Sequence, residues 1–206
     1  MKRFNIAADE YLHIYNRGVL KQPIFFNDRD KKRLLFLVLL FQSTDTIKNV
    51  DRSFKEFVRD PELYITSQTK SFSNQCVELI SFCFMPNHFH LLVRELTEGG
   101  IAKYMQRIQN AYTKYINTKY EKSGHLFQGP YKAVLVESNE QLLHLSCYIH
   151  KNVKDWKNHF YSSFQDSVNN RWGGLLKMDI ITSQFSGKGD DTYANFVETS
   201  PAKEDN

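Results

Sequence analysis

Cysteine is scarce in this 206-residue chain. It has three, Cys76, Cys83 and Cys147, widely spaced and with no Cys-x-x-Cys pair. An odd, sparse count excludes a disulfide-stapled scaffold and a thiolate zinc site, and it points to a reducing compartment. Long apolar runs are missing as well. The longest, Leu34 to Phe41, spans eight residues, against roughly 20 for a membrane-crossing helix. The opening Met1-Lys2-Arg3-Phe4-Asn5-Ile6-Ala7-Ala8-Asp9-Glu10 holds no apolar stretch of signal-peptide length, so the sequence reads as cytoplasmic, with no membrane attachment. There is no internal repeat and no low-complexity tract. At 41% hydrophobic and 24% charged, collagen-like and disordered classes are excluded, and the length suits one domain, or one domain with an appendage, around a sizeable core.

Charge of one sign is unevenly spread. Residues 161–206 carry four basic and seven acidic side chains, whereas residues 1–160 carry 23 basic and 16 acidic. A body of net charge +7 suits either an ordinary solvated surface or a polyanionic partner, most simply nucleic acid.

Hydrophobic periodicity predicts the order of elements. Tyr11 to Arg17 reads as a strand closed by Gly18, and Asp28 as the cap of a helix through the Leu34–Phe41 run. Residues 43–75 are polar and read as a connector with one short helix near Phe54 to Arg59. Cys76 to Phe84, the turn Met85-Pro86-Asn87 and His88 to Arg94 form a hairpin. Ile101, Met105, Ile108, Tyr112 and Tyr115 or Ile116 recur at helical spacing over residues 100–120. Another strand is expected over Tyr131 to Val136 and a helix from about Glu140 to Asn152, opened by Glu137-Ser138-Asn139. The tail has a last helix near Asp190 to Glu198 and a frayed end. This order predicts an α+β fold, a ferredoxin-like or RRM-like antiparallel sheet with helices mainly on one face. The expected domain covers residues 1–165, followed by a partly helical extension over 166–206.

His88-Phe89-His90 is the sharpest chemical feature. Alternation along a strand projects both imidazoles from one face, where two donors one pleat apart can share a divalent ion, while Phe89 anchors the other face. On the last clear helix Leu142, Leu145, Ile149 and Val153 form an apolar stripe, and Gln141, His144, Tyr148 and Asn152 lie beside it. Tyr148 and Asn152, four residues apart, share a face at roughly 6 Å along the axis, whereas His150 lies about 200° round from Tyr148. Asn152 is therefore the expected third ligand. Two imidazoles and an amide oxygen suit Mg²⁺ or Mn²⁺ with a bound phosphate better than structural zinc. A tyrosine beside such a phosphate is a nucleophile candidate.

These residues resemble a known family. Met85-Pro86-Asn87-His88-Phe89-His90-Leu91-Leu92-Val93 is similar to the His-hydrophobe-His signature of single-tyrosine HUH transposases. The wider pattern resembles their REP-associated tyrosine transposase (IS200-like) branch. That pattern runs through Tyr15-Asn16-Arg17-Gly18, Met105-Gln106-Arg107, Ser123-Gly124-His125-Leu126-Phe127-Gln128-Gly129, Tyr131-Lys132-Ala133, Tyr148-Ile149-His150-x-Asn152 and Tyr161-Ser162-Ser163. The resemblance implies a nickase and strand transferase acting on hairpin-forming single-stranded DNA. Tyr148 would be the nucleophile of a 5′-phosphotyrosine intermediate, with His88, His90 and Asn152 holding Mg²⁺ or Mn²⁺. Relatives include both monomers and homodimers. Two departures stand out: Val153 follows Asn152 directly where the family usually continues Asn-Pro-Val, and Pro130 stands where the family has Arg.

A DNA surface is expected along the long helix, where Lys103, Arg107, Asn110, Lys114 and Asn117 recur on one basic face, with Arg17 and Lys132 nearby. His125 and Gln128 match the family pattern and either touch DNA or brace the site. Trp156 and Trp172 are expected in the core. Two rivals stay open: a non-catalytic DNA-hairpin-binding regulatory protein derived from such an enzyme, and a metal phosphodiesterase that uses water as nucleophile.

Overall fold

The computed structural model describes residues 6–68 and 74–201. Four strands form one sheet: β1 (Tyr11–Arg17), β2 (Val77–Met85), β3 (His88–Glu95) and β4 (Lys132–Val136). Their spatial order is β2-β3-β1-β4, with every neighbouring pair antiparallel. The helices are α1 (Asp28–Leu40), α2 (Val50–Arg59), α3 (Pro61–Gln68), α4 (Gly100–Lys119) and α5 (Asn139–His150), then the short α6 (Asp166–Asn169), α7 (Asp179–Thr182) and α8 (Tyr193–Thr199). Leaving out α2 and α3, the run from β1 to β4 is the strand-helix-strand-strand-helix-strand plan of a ferredoxin-like sheet.

Period-2 alternation gives the sheet two faces. Phe89 meets Phe127, which in turn meets Tyr112 of α4, and Phe84 meets Phe25, so α4 covers this face. α1 packs beside α4, and the Tyr104 hydroxyl of α4 donates to the Val38 carbonyl of α1 at 2.7 Å. That bond satisfies a buried hydroxyl that would otherwise cost about 1–3 kcal/mol. The helical periodicity of α4 is realised as read: Ile101, Met105, Ile108, Tyr112 and Ile116 are all fully buried. His13 and His90 face the other way and meet Tyr148, so α5 crosses the opposite face. Among the described residues, no helix is long and apolar enough to cross a membrane.

Two local features differ from the sequence reading. Asn27, not Asp28, caps α1, because its side chain accepts from the Asp30 amide while the Asp30 carboxylate accepts from the Asn27 amide. Burial opposes the Asp30 charge. Lys119, Tyr120 and the Phe26 amide more than offset that cost, and the carboxyl sits below its usual range. The stretch expected as a connector with one short helix holds two helices, α2 and α3. Asn49 caps the first, and Pro61, whose ring suits a first helical position, opens the second.

The C-terminal segment, partly helical as expected, packs against the body of the fold. Trp172 stacks on Phe57, the Gln42 amide donates to the Leu175 carbonyl at 2.7 Å, and Lys177 donates its amide to the Leu79 carbonyl at 2.8 Å. Trp172, Ile181, Tyr193 and Val197 belong to the same apolar core as Leu12 and Ile14. The expected last helix is present as α8, and the expected frayed end, residues 202–206, lies outside the described residues.

Candidate active site

The sheet register assembles the site from separate strands. Tyr15 of β1 stands opposite His90 on one side and Lys132 on the other, and Arg17 stands opposite His88. Directly paired residues share a face, so two rows, His90-Tyr15-Lys132 and His88-Arg17, run across the surface that α5 covers. The hairpin turn Pro86-Asn87 lies between the two strands at His88. Asn87 Nδ2 donates to the Lys21 carbonyl at 2.9 Å, which leaves Oδ1 as the acceptor for His88 Nδ1–H at 2.7 Å. In the neutral ring, Nε2 then carries the lone pair.

Tyr148 comes down from α5. Its ring meets that of His90 at right angles with centroids 5.6 Å apart, and the rings of His88 and His90 are 5.1 Å apart at 84°. The three side chains line a cavity of about 460 Å³ together with Tyr15, Asn16, Arg17, Gln128, Gly129, Pro130 and Lys132. The loop that closes it is pinned to the end of β1. Gln128 donates its amide to the Arg17 carbonyl at 2.9 Å, and Asn16 Nδ2 donates to the Gly129 carbonyl at 3.0 Å. Gly18 permits the tight turn that follows β1, since a Cβ there would lie 2.2 Å from the Gln22 carbonyl oxygen.

The expected ligands and DNA contacts divide into those brought together and those kept apart. His88, His90, Tyr148, Arg17, Gln128 and Lys132 meet in one cavity. Lys114 and His125 line a second cavity of about 490 Å³ with Gln109, Asn110, Thr113 and Asn117, and Gly129 and Pro130 line both cavities. Lys103 is exposed on α4 and lines neither. Arg107 is turned the other way. Its guanidinium donates to the carbonyls of Ser43, Phe41 (3.5 Å) and Asp45 (3.0 Å) and lies over the Phe41 ring at 4.4 Å. Burial lowers its pKa. It ties down the chain that leaves α1 and lines neither cavity.

Asn152 also differs from expectation. α5 ends at His150, so residue 152 does not continue the helical face of Tyr148. Its Nδ2 folds back onto the Tyr148 carbonyl at 2.7 Å, satisfying one of the acceptors that a helix end exposes, and Asn152 is not among the residues lining the cavity. Among the described residues, no group of three or more His, Cys, Asp or Glu could hold a metal. The donor set, two imidazoles facing an open cavity, suits an ion whose remaining positions are filled by phosphate oxygens and water.

His13, which the sequence reading passed over, lies directly behind His90. Its Nε2 is 2.8 Å from His90 Nδ1, its ring lies nearly in the plane of that of His90, 21° from parallel, and it meets the Tyr148 ring at 77°. Burial pushes its pKa down to about 4, so the ring is neutral at physiological pH. Alternation from Tyr15 and Arg17 back to His13 was the signal available. His150 points away from the cavity, as its helical position required. It is buried among Ser81, Ser163 and the Tyr193 hydroxyl, and burial pushes its pKa down to about 3.

Residues 53–152 match the family described as "Transposase IS200 like". No curated protein matches the chain. A solved structure of a REP-associated tyrosine transposase bound to a REP hairpin superposes with a TM-score of 0.53 at 15% identity, covering 87% of this chain and 88% of that one, and so shares its fold. A candidate transposase from Deinococcus radiodurans gives a TM-score of 0.30 at 16% identity over 72% of this chain and 95% of that one. The matched segment contains both histidines and Tyr148, so the part of the chain that is similar to the IS200-like transposase family includes the cavity's central residues.

Proposed function

We propose that this protein is an IS200-like transposase that nicks and rejoins single-stranded DNA at hairpins by the REP-associated type of reaction, with Tyr148 as the nucleophile. The observation that carries the reading is the single cavity in which a strand-borne histidine pair and a helix-borne tyrosine meet under two cationic side chains, Arg17 and Lys132. Tyr148 Oη forms the new bond to phosphorus as its proton passes to solvent. The bond from phosphorus to the 3′ oxygen breaks, and that oxygen leaves as a 3′-hydroxyl. The 5′ end stays on the enzyme as a phosphotyrosine until a second 3′-hydroxyl reverses the step. Arg17 and Lys132 hold the flanking phosphates, and the second cavity, with Lys114 and His125, continues the strand path past Gly129 and Pro130.

His88 and His90 would hold Mg²⁺ or Mn²⁺, with the Asn152 side-chain amide oxygen, whose Nδ2 is spent on the Tyr148 carbonyl, as the proposed third donor. A bound ion supplies charge withdrawal from phosphorus and stabilisation of the leaving oxygen. The test is incubation with Mn²⁺ and a panel of 3′-labelled hairpin oligonucleotides, resolved on a denaturing protein gel for wild type and Tyr148→Phe. A labelled protein band that disappears in Tyr148→Phe is the expected result. Cleavage that survives the substitution assigns the attack to water, and binding with neither cleavage nor adduct assigns the protein to hairpin binding alone.

A further inference from the structure

The two histidines that face the cavity have their second ring nitrogens engaged in different ways. His88 Nδ1 rests on Asn87 Oδ1, a group that can only accept, so its protonation is fixed by the amide. His90 Nδ1 rests on His13 Nε2 at 2.8 Å, and an imidazole nitrogen can act either way. One proton lies between the two rings, and where it sits decides what His90 presents to the cavity. With the proton on His13, His90 carries its own proton on Nε2 and presents a donor. With the proton on His90 Nδ1, Nε2 presents a lone pair.

We propose that His13 is a positioning residue: its Nε2 accepts from His90 Nδ1–H, holding His90 in the tautomer whose Nε2 lone pair faces the cavity and clamping the ring's orientation. The geometry supports this role over that of a third ligand. The nitrogen of His13 nearest the site is the one spent on His90, and His13 is not among the residues that line the cavity. The clamp is also rigid. His13 sits in the middle of β1, between the neighbours β3 and β4, in register with Leu92 and Val134, and its ring lies within 21° of the plane of the His90 ring. A ligating imidazole whose remote N–H has a built acceptor is oriented in advance and is a stronger donor.

This inference rests on the proposed metal site, so the first readout is made without metal. Long-range ¹H–¹⁵N spectra of the metal-free protein at alkaline pH report the His90 tautomer. Wild type is expected to show the Nδ1–H form. His13→Leu is expected to move His90 toward the Nε2–H form that an isolated imidazole prefers in water. His13→Gln, whose amide oxygen can accept the same proton, is expected to retain the Nδ1–H form. The second readout is Mn²⁺ affinity by calorimetry, with thermal midpoints measured alongside. His13→Leu should weaken binding by roughly 10- to 100-fold, and His13→Gln should recover most of that loss at a similar midpoint. An Nε2–H tautomer in the wild type, or equal Mn²⁺ affinity in wild type and His13→Leu, would overturn the proposal. A wild type with the Nδ1–H tautomer but no Mn²⁺ affinity would remove the metal site and with it the positioning role toward a metal.

Discussion

His90 and Tyr148 meet edge to face, ring centroids 5.6 Å apart, although one sits on an inner strand of the sheet and the other on a helix that crosses it 58 positions later in the chain. The contact places a phenol and an imidazole at the wall of one cavity without any flexible loop carrying either group. A site built on rigid elements keeps its geometry when the substrate arrives. The residues that would grip the strand, by contrast, sit at strand ends, on α4 and on the loop after it, where side chains reach solvent.

The two cavities and the misplaced arginine separate binding from stability. Lys132→Ala and Lys114→Ala should each weaken hairpin binding and lower the slope of log affinity against log salt by about 0.7, the value for one contact to a single strand. Arg107→Ala should leave that slope unchanged and instead destabilise the fold by about 1–3 kcal/mol, since it strips charged hydrogen bonds from three carbonyls after α1. Fluorescence anisotropy across a salt series, with urea unfolding of the same variants, measures both. An unchanged slope in both lysine variants would remove the proposed strand path.

Acid should destabilise the protein through His150. The group is neutral in the fold because burial pushes its pKa down to about 3, whereas an unfolded histidine takes up a proton near pH 6.5. Above that pH both states are neutral and the group adds no pH dependence. Below it the unfolded state binds the extra proton, so stability falls as pH drops and continues to fall until the folded pKa is reached. The loss is about 1.4 kcal/mol per pH unit for one such group. Urea midpoints at pH 7 and pH 5 should therefore differ, and His150→Gln should show a shallower dependence than wild type. Parallel curves for the two proteins would contradict a neutral buried His150.

Truncation after Gln165 should abolish folding rather than trim an appendage. The removed segment supplies Trp172 against Phe57, the Leu175 carbonyl that accepts from Gln42, and Tyr193, whose hydroxyl donates to Ser146 and pairs with His150. Loss of a buried tryptophan or other large side chain alone costs about 3–5 kcal/mol, a large share of a typical domain's stability. Circular dichroism and gel filtration of the truncated chain check this, and a folded monomer with native helix content would show the extension to be separable.

Legibility in the sequence followed the range of the interaction concerned. The buried face of α4 was readable because five apolar residues at helical spacing meet a flat sheet, and nothing else competes for them. The capping of α1 was displaced by one residue because Asp30 also answers to Lys119, Tyr115 and Tyr120, some 90 positions away in the chain. Arg107 was assigned to the correct helical face, but periodicity does not reveal that the carbonyls following α1 lie against that face. Asn152 was placed on the Tyr148 face by continuing the helix two residues too far. The side chain that ends α5 is Asn152 itself, bonding back to the Tyr148 carbonyl.

What the sequence determined alone was local: which residues alternate, which recur every three or four positions, and hence that His88 and His90 leave one face of a strand while Tyr148 and His150 leave different sides of a helix. What tertiary structure decided was everything that depends on register and crossing. The antiparallel pairing of β1 with β3 sets His13 behind His90 and Arg17 beside His88, and the packing of α5 onto that face brings Tyr148 to them. The physical reason is that spacing along a chain fixes the direction a side chain takes from its own backbone. Its neighbours are chosen by backbone hydrogen bonds and apolar burial between segments distant in sequence, and no window along the chain contains both partners.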